Sequence, residues 1–163
     1  MSFEPTPRHR ALARMVGTWS GPTRTWFDAS GAPDETTTDA FAEMLLDGRF
    51  LRISYRGVAM GKPHEGELLV GFHKDAGEWE TTQIDSFHTG TMMMKSVGKA
   101  DDENVVRVVG SYPAGGEQWG WRTVIRLVDD ALVLESFNIH PNGQEDPAIA
   151  TNLRRVAKAS NGE

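Results

Sequence analysis

Asp85 and His88 are the two residues whose chemistry and spacing best fit acid–base catalysis. They stand three positions apart in Asp85-Ser86-Phe87-His88, at a junction between two predicted strands, so their side chains can meet if the chain turns there. A carboxylate beside an imidazole orients the ring and favours its charged form, which suits proton transfer. If the protein is an enzyme, we expect this pair to catalyse a cofactor-free isomerase or lyase reaction. The alternative that we favour is structural: Asp85 accepts hydrogen bonds from turn amides, and His88 lies in solvent.

A second group of residues suits the binding of a small molecule inside a closed sheet. Side chains alternate between the two faces of a strand, and this alternation puts one set on the inward face. The candidate ligand-binding residues are Trp19, Tyr55, Gln83, Asp85, Met92, Trp121 and Thr123. The alternative is that they fill a packed core, in which the polar atoms satisfy one another or a buried water.

Several classes of site are excluded by what the sequence lacks. The chain has no cysteine, which removes disulfides, thiolate zinc sites, iron–sulfur clusters and a cysteine nucleophile. Its five histidines show no metal-ligand spacing, no serine lies in a nucleophile-elbow motif, and no glycine-rich phosphate loop occurs. The sequence therefore predicts neither a metal site nor a cofactor.

The charge and hydropathy patterns limit the partners. Lys and Arg number 17 against 23 Asp and Glu, a formal net charge of −6. Because no basic block stands out, we expect no nucleic acid and no anionic membrane surface as a partner. No apolar run approaches the ~20 residues that span a bilayer, and residues 1–14 lack the apolar segment of a secretory signal. We therefore predict a cytoplasmic protein.

The candidate residues must be positioned by strands, because a period of two dominates the chain from Gly17 onward. A short helix is predicted before it, over Pro7–Val16, with Thr6 as its N-cap. About ten strands follow at a spacing of about 12 residues, joined by turns that leave no room for crossover helices. The sixth strand is predicted over about His88–Val97.

Ten consecutive strands would expose two edges in an open sheet, so closure is favoured. The predicted fold is all-β: a ten-stranded antiparallel up-and-down barrel with a short N-terminal helix. It forms a single domain over residues 1–163, with loose termini at 1–6 and 157–163.

Gly17-Thr18-Trp19 after a short helix resembles the Gly-x-Trp opening of lipocalins and related calycin barrels. From about Leu12 to Arg155, the chain is also similar to a bacterial family known as domain of unknown function 1579. The motifs that carry this similarity are Gly17-Thr18-Trp19-Ser20-Gly21, Leu46-Asp47-Gly48-Arg49-Phe50-Leu51, Glu65-Gly66-Glu67-Leu68-Leu69-Val70-Gly71-Phe72, Ile84-Asp85-Ser86 and Leu153-Arg154-Arg155. The resemblance implies a lipocalin-like barrel and supplies no agreed activity and no catalytic residues.

Two positions depart from the pattern of that family. Gln83 stands where a Trp is expected, and Leu153 stands where a Tyr is expected. Either change alters the shape or polarity of the interior, so no ligand carries over from one member to another. A nitrobindin-like haem barrel has an axial histidine on a late strand, whereas residues 150–154 read Ala-Thr-Asn-Leu-Arg, so we predict no haem.

The function predicted from the sequence is the binding of a small, mostly apolar ligand inside the barrel. Tyr55, Gln83 and Asp85 would orient that ligand. The first alternative is the isomerase or lyase that uses Asp85 and His88.

The second alternative is a protein-interaction or dimerisation module. Trp26, Phe41 and Met93 are apolar residues that we expect on the outer surface. An apolar patch there would favour a homodimer of barrels.

Overall fold

A computed structural model of the chain describes residues 3–157. One helix, α1 (Pro7–Ala13), precedes ten β-strands. The strands are β1 (Gly17–Thr25), β2 (Asp34–Leu45), β3 (Phe50–Ala59), β4 (Lys62–His73), β5 (Glu78–Asp85), β6 (Met94–Lys99), β7 (Val105–Ala114), β8 (Glu117–Val128), β9 (Ala131–Ile139) and β10 (Glu145–Arg155). Helix α1 ends three residues before its predicted end. Within residues 3–157, no helix has the length and apolar character needed to cross a bilayer.

The sheet closes into a barrel because β1 pairs with both β2 and β10. Each strand from β2 to β9 pairs with its two neighbours in the chain, β10 pairs with β9 and β1, and all of the pairings are antiparallel. Trp19 lies opposite Ala40 of β2 and Arg155 of β10. Closure leaves no row of unpaired backbone groups at an edge, which is the usual liability of an open sheet. The predicted ten-stranded antiparallel barrel is confirmed.

One end of the barrel is closed where the segment that follows α1 meets β1 and β10. Trp19 is fully buried, and its Nε1–H donates to the carbonyl of Met15 at 2.9 Å. The guanidinium of Arg155 lies 4.3 Å from the centre of the Trp19 ring. It also donates to the carbonyls of Val16 and Arg14, at 2.6 and 2.5 Å. These contacts hold the chain between α1 and β1 against the last strand.

The interior divides into two halves of different character. The half next to α1, here called the packed half, is filled by apolar side chains that are almost wholly inaccessible to solvent. Its main members are Leu12, Met15, Trp19, Leu51, Ile53, Trp79, Val106, Val108, Ile125, Leu132 and Leu153. The opposite half also contains hydroxyl, amide, carboxyl and imidazole groups among its apolar side chains, and this is the half that bears on function.

The predicted start of the sixth strand was wrong. Residues 86–93 form a series of turns, and β6 begins at Met94. The physical reason is Asp85, whose carboxylate accepts hydrogen bonds from the following amides and bends the chain away from an extended path. Gly90 contributes a backbone φ of +57° in the same segment, a value that glycine adopts without strain.

Loose termini were predicted at residues 1–6 and 157–163. Of these, residues 1–2 and 158–163 lie outside the described part of the chain. Among the N-terminal residues that are described, Phe3 packs edge-on against His9, with ring centres 4.9 Å apart. The guanidinium of Arg49 lies over the Phe3 ring, 4.4 Å from its centre. Phe3 therefore contacts α1 and the turn between β2 and β3.

Candidate ligand-binding site

Two adjoining cavities occupy the half of the barrel opposite α1. The inner cavity, among the strands above the packed half, has a volume of about 70 Å³. The mouth cavity, at the open end of the barrel, has a volume of about 200 Å³. Thr25, Gln83 and His88 line both cavities and form the boundary between them. Each volume is below the roughly 300–1,000 Å³ of sites for drug-sized ligands, so the space suits a smaller molecule.

One carboxylate oxygen of Asp85 organises the turn that follows β5. Oδ1 accepts hydrogen bonds from the backbone N–H groups of Phe87 (2.9 Å), Thr89 (3.3 Å) and His88. The hydroxyl of Thr89 in turn accepts from the Asp85 N–H at 2.7 Å and donates to the Asp85 carbonyl at 3.1 Å. This geometry is the turn-capping role that the sequence suggested for Asp85.

The other carboxylate oxygen of Asp85 gathers three side chains at the boundary between the cavities. Oδ2 lies 3.0 Å from Tyr55 Oη, 3.2 Å from Gln83 Nε2 and 3.2 Å from His88 Nδ1. Gln83 Nε2 also donates to Tyr55 Oη at 3.0 Å. The Asp85 side chain has no exposed surface, and that of His88 is 22% exposed. The structure therefore brings Asp85 and His88 into contact.

Gly66 makes the contact between Tyr55 and Asp85 possible. On the sheet, Gly66 of β4 stands directly between Tyr55 of β3 and Asp85 of β5. A Cβ atom at this position would lie 2.6 Å from the Asp85 Cβ and would overlap the Tyr55 ring. Because glycine has no side chain, the Tyr55 and Asp85 side chains lean over it and meet.

The protonation states of this cluster follow from its hydrogen bonds. Burial by itself raises the pKa of Asp85, but the side chain and charge of His88 and the amides of His88 and Phe87 bring that pKa well below its ordinary 3.8. Burial, followed by the nearby negative charge of Asp85, raises the pKa of Tyr55 above its ordinary 10.0. At neutral pH, Asp85 is therefore ionised and Tyr55 keeps its proton, which it donates to Oδ2.

His64 is a site residue that the sequence reasoning missed. It lines the inner cavity, and its ring centre lies 6.3 Å from that of His88 and 6.2 Å from that of Tyr55. Its Nδ1 is buried and has no hydrogen-bond partner within residues 3–157. Burial lowers the pKa of His64, although the charge of Asp85 acts in the opposite direction. Strand alternation could have identified His64, because it lies two and four residues before Gly66 and Leu68 and so faces the same side of β4.

A layer of hydroxyl groups also lines the inner cavity and was missed, apart from Thr123. The Thr23 hydroxyl lies 2.7 Å from that of Thr38 and 3.0 Å from that of Thr151. The layer consists of Thr23, Thr25, Thr38, Thr123, Ser136 and Thr151. All six side chains are buried.

The structure groups most of the predicted ligand-binding residues and separates one of them. The inner cavity is lined by Tyr55, Gln83, Asp85 and Thr123, and the mouth cavity by Gln83, Met92 and Trp121. Trp19 lies in the packed half and lines neither cavity.

The three residues expected on the outer surface differ in their environments. Phe41 and Met93 are 48% and 60% exposed, as expected. Trp26, in contrast, lines the mouth cavity, because β1 ends at Thr25 and strict alternation no longer applies beyond it.

The charged groups that line the two cavities limit what can bind there. No lysine or arginine of residues 3–157 lines either cavity. Over the same range, no three His, Asp or Glu side chains are grouped so that they could hold a metal ion. The ionisable side chains of the site are Asp85, Tyr55, Tyr112, His64 and His88.

The chain is similar to known proteins in both its sequence and its fold. The family described as "Protein of unknown function (DUF1579)" matches residues 4–155. No protein with a curated description matches the sequence. The fold is similar to that in the crystal structure of Rv2717c from M. tuberculosis, with a TM-score of 0.64 and 18% sequence identity. That match covers 94% of this chain and 100% of the other, and at this identity it concerns the fold alone.

Proposed function

For this chain, which belongs to the DUF1579 family of proteins of unknown function, we propose the binding of a small, mostly apolar ligand inside the barrel. The observation that carries the proposal is the division of the interior. One half is packed with apolar side chains, whereas the other contains two adjoining cavities of about 70 and 200 Å³. A barrel that needed only a stable core would gain by filling this space, since unfilled cavities reduce stability.

The mouth cavity suits the apolar part of such a ligand. Its lining includes the aromatic or thioether side chains of Phe27, Phe87, Met92, Met94 and Trp121. Methionine is flexible and polarizable and adapts to ligands of irregular shape. An apolar group in contact with these side chains is removed from water, which favours binding by roughly 25 cal/mol per Å² of apolar surface.

The polar end of the ligand belongs at the Asp85 cluster, where the two cavities meet. Asp85 fixes Tyr55, Gln83 and His88 through hydrogen bonds of 3.0–3.2 Å. Polar groups that are already held in place lose little conformational freedom on binding, so they orient a ligand at low entropic cost.

Native mass spectrometry of the protein purified from the cells that make it naturally tests the proposal. We expect the folded protein to carry an additional mass that disappears on denaturation. Met94→Trp, which adds bulk at the mouth cavity, should reduce the fraction of protein with this mass. Lys95→Trp places the same bulk at the exposed neighbouring position and serves as the matched control.

Two outcomes would contradict ligand binding in the barrel. One is a native spectrum with the mass of the bare chain alone. The other is a bound mass that is equally abundant in Met94→Trp and Lys95→Trp, which would locate the molecule elsewhere. Circular dichroism of both variants verifies that they fold.

A second candidate function, an isomerase or lyase, is favoured by one specific observation. His88 Nδ1 lies 3.2 Å from Asp85 Oδ2, and the carboxylate can only accept, so Nδ1 carries a proton. In the neutral ring, Nε2 then has a free lone pair, and it has no hydrogen-bond partner within residues 3–157. An imidazole oriented in this way by a carboxylate is suited to act as a general base.

Deuterium exchange tests this second candidate. The molecule retained by the protein would be incubated with catalytic amounts of wild type in D₂O, and its carbon-bound protons followed by NMR. Catalysis by His88 predicts exchange at one carbon that is lost in His88→Phe. Unchanged proton signals with the wild type would exclude proton abstraction from carbon.

A further inference from the structure

We propose that the ligand carries a neutral head group that both donates and accepts hydrogen bonds, such as an alcohol or a primary amide, and that a carboxylate is rejected. This inference rests on the proposed ligand binding and adds the chemical class of the ligand. It follows from three observations: the acceptors that remain free in the Asp85 cluster, one unpartnered donor at the mouth, and the charge of the cavities.

The first observation is that the hydrogen-bond donors around Asp85 already donate to its carboxylate. Its carboxylate accepts from the Tyr55 hydroxyl, the Gln83 amide and His88 Nδ1, in addition to the turn amides. Since a carboxylate only accepts, the NH₂ group of Gln83 must face it. Both atoms left over are acceptors, Gln83 Oε1 and His88 Nε2 of the neutral ring, and neither has a partner within residues 3–157. These two atoms are free to accept a hydrogen bond from a donor on the ligand.

The second observation is an unsatisfied donor at the mouth. Trp121 lines the mouth cavity and is 7% exposed, and its buried Nε1–H has no acceptor among residues 3–157. A buried polar group without a hydrogen bond is costly, and nearly all such groups in native proteins have a partner. A hydroxyl or carbonyl oxygen of the ligand would supply the missing acceptor.

The third observation is the absence of a balancing positive charge. No lysine or arginine of the described chain lines either cavity. Asp85 is negative, so its pair with His88 has a net charge of zero or −1, whichever form His88 takes. His64 faces the same space from β4, and burial lowers its pKa below the ordinary 6.5. An anionic head group would therefore be removed from water without a counter-charge, which is unfavourable.

Hexanamide, 1-hexanol and sodium hexanoate are suitable probes, because they share a chain length and differ in the head group. Hexanamide and hexanoate are also nearly identical in shape. Isothermal titration at pH 7.5 should give dissociation constants at least about tenfold lower for hexanamide and hexanol than for hexanoate, because the anion meets no counter-charge. The indole N–H signal of Trp121, followed by NMR, should shift with the two neutral probes and so locate them at the mouth.

The Trp121→Phe variant tests the donor at the mouth. It keeps an aromatic ring and removes the N–H, so we expect hexanamide binding to weaken by about fivefold, the usual effect of one hydrogen bond. Trp119→Phe is the matched control, because Trp119 lies two residues earlier on β8, packs against His140 and lines neither cavity. It should bind hexanamide like the wild type.

The outcomes separate this inference from the proposed function. Hexanoate that binds as tightly as hexanamide would overturn the neutral head group while leaving ligand binding intact. Equal binding of hexanamide by Trp121→Phe and Trp119→Phe would overturn the role of Trp121 as the donor. Binding of none of the three probes would overturn the proposed function and this inference with it.

Discussion

At the scale of single residues, Asp85 shows how one carboxylate can serve the backbone and the site together. Oδ1 caps the turn after β5, and Oδ2 holds Tyr55, Gln83 and His88. The structural and the chemical interpretations of Asp85 are therefore compatible in geometry, since each uses a different oxygen. Because the pKa of Asp85 is lowered on folding, its contribution to stability is complete above pH 3.8 and is lost as the pH falls further.

His64 predicts a second pH dependence at the same scale. Burial lowers its pKa below the ordinary 6.5, so just below pH 6.5 the unfolded chain binds a proton that the folded chain does not. The free energy of unfolding should therefore decrease as the pH falls through this range, by at most about 1.4 kcal/mol per pH unit for one histidine. Urea unfolding between pH 7.5 and 5 measures this slope, which His64→Gln should reduce.

His9 is the second histidine whose pKa is lowered by burial, and it accounts for part of the same slope. The double variant, with both histidines replaced by glutamine, should have a smaller slope than either single variant. A His64→Gln protein with the same slope as the wild type would show that His64 does not resist protonation in the folded state.

At the scale of elements, the arrangement of β3, β4 and β5 decides the shape of the site. Alternation predicted that Tyr55 and Asp85 face the interior, and the registers of the three strands place both of them beside Gly66. The middle position is a glycine, so the two outer side chains come within hydrogen-bond distance of each other. The site therefore depends on a missing side chain in β4 as much as on the polar residues beside it.

Gly66→Ala tests this dependence. The added Cβ would overlap the Tyr55 ring and lie 2.6 Å from the Asp85 Cβ, so we expect the two side chains to separate and stability to fall by about 1–3 kcal/mol. Urea unfolding measures the loss. The control is Gly31→Ala, where a Cβ would have only an ordinary 3.5 Å contact with Asp28, and the expected change is within about 0.5 kcal/mol. Equal effects of the two substitutions would argue against this role of Gly66.

At the scale of the whole molecule, the barrel combines a packed half, which supplies stability, with a half that contains cavities. Leu132 and Leu134 of β9 both face the interior, but Leu132 is fully buried in the packed half and Leu134 borders the inner cavity. The two leucines therefore offer a matched comparison within one strand.

Leu132→Ala should cost about 2–5 kcal/mol of unfolding free energy, because it opens a new cavity among close-packed side chains. Leu134→Ala should cost less, since that side chain already borders free space and loses fewer contacts. Denaturant unfolding of both variants measures the difference. A larger loss for Leu134→Ala would mean that the two halves do not differ in packing as described.

The outer surface of the barrel bears on self-association. Phe41 and Met93 are exposed apolar residues, and the homodimer that they suggested stays a prediction that sedimentation velocity would test.

Much of the fold was determined by the sequence alone. Alternation with a period of two, turn residues between the strands and the helix before Gly17 are local features, because they depend on residues that are close together in the chain. They were sufficient to predict ten antiparallel strands and the closure of the sheet into a barrel. They also identified Asp85 and His88, which are three residues apart, as a pair that could meet.

Only the tertiary structure decided which parts of the barrel interior are packed and which are open. Whether the interior is packed or open depends on the summed volumes of side chains from ten strands, and this sum has no local signal. The meeting of Tyr55 with Asp85 across Gly66 depends on the registers of three strands, and Trp19 lies among packed residues because α1 covers its end of the barrel. Alternation gives the face on which a side chain lies, whereas its height along the barrel, and hence its place in the core or the cavity, is fixed by strand pairing.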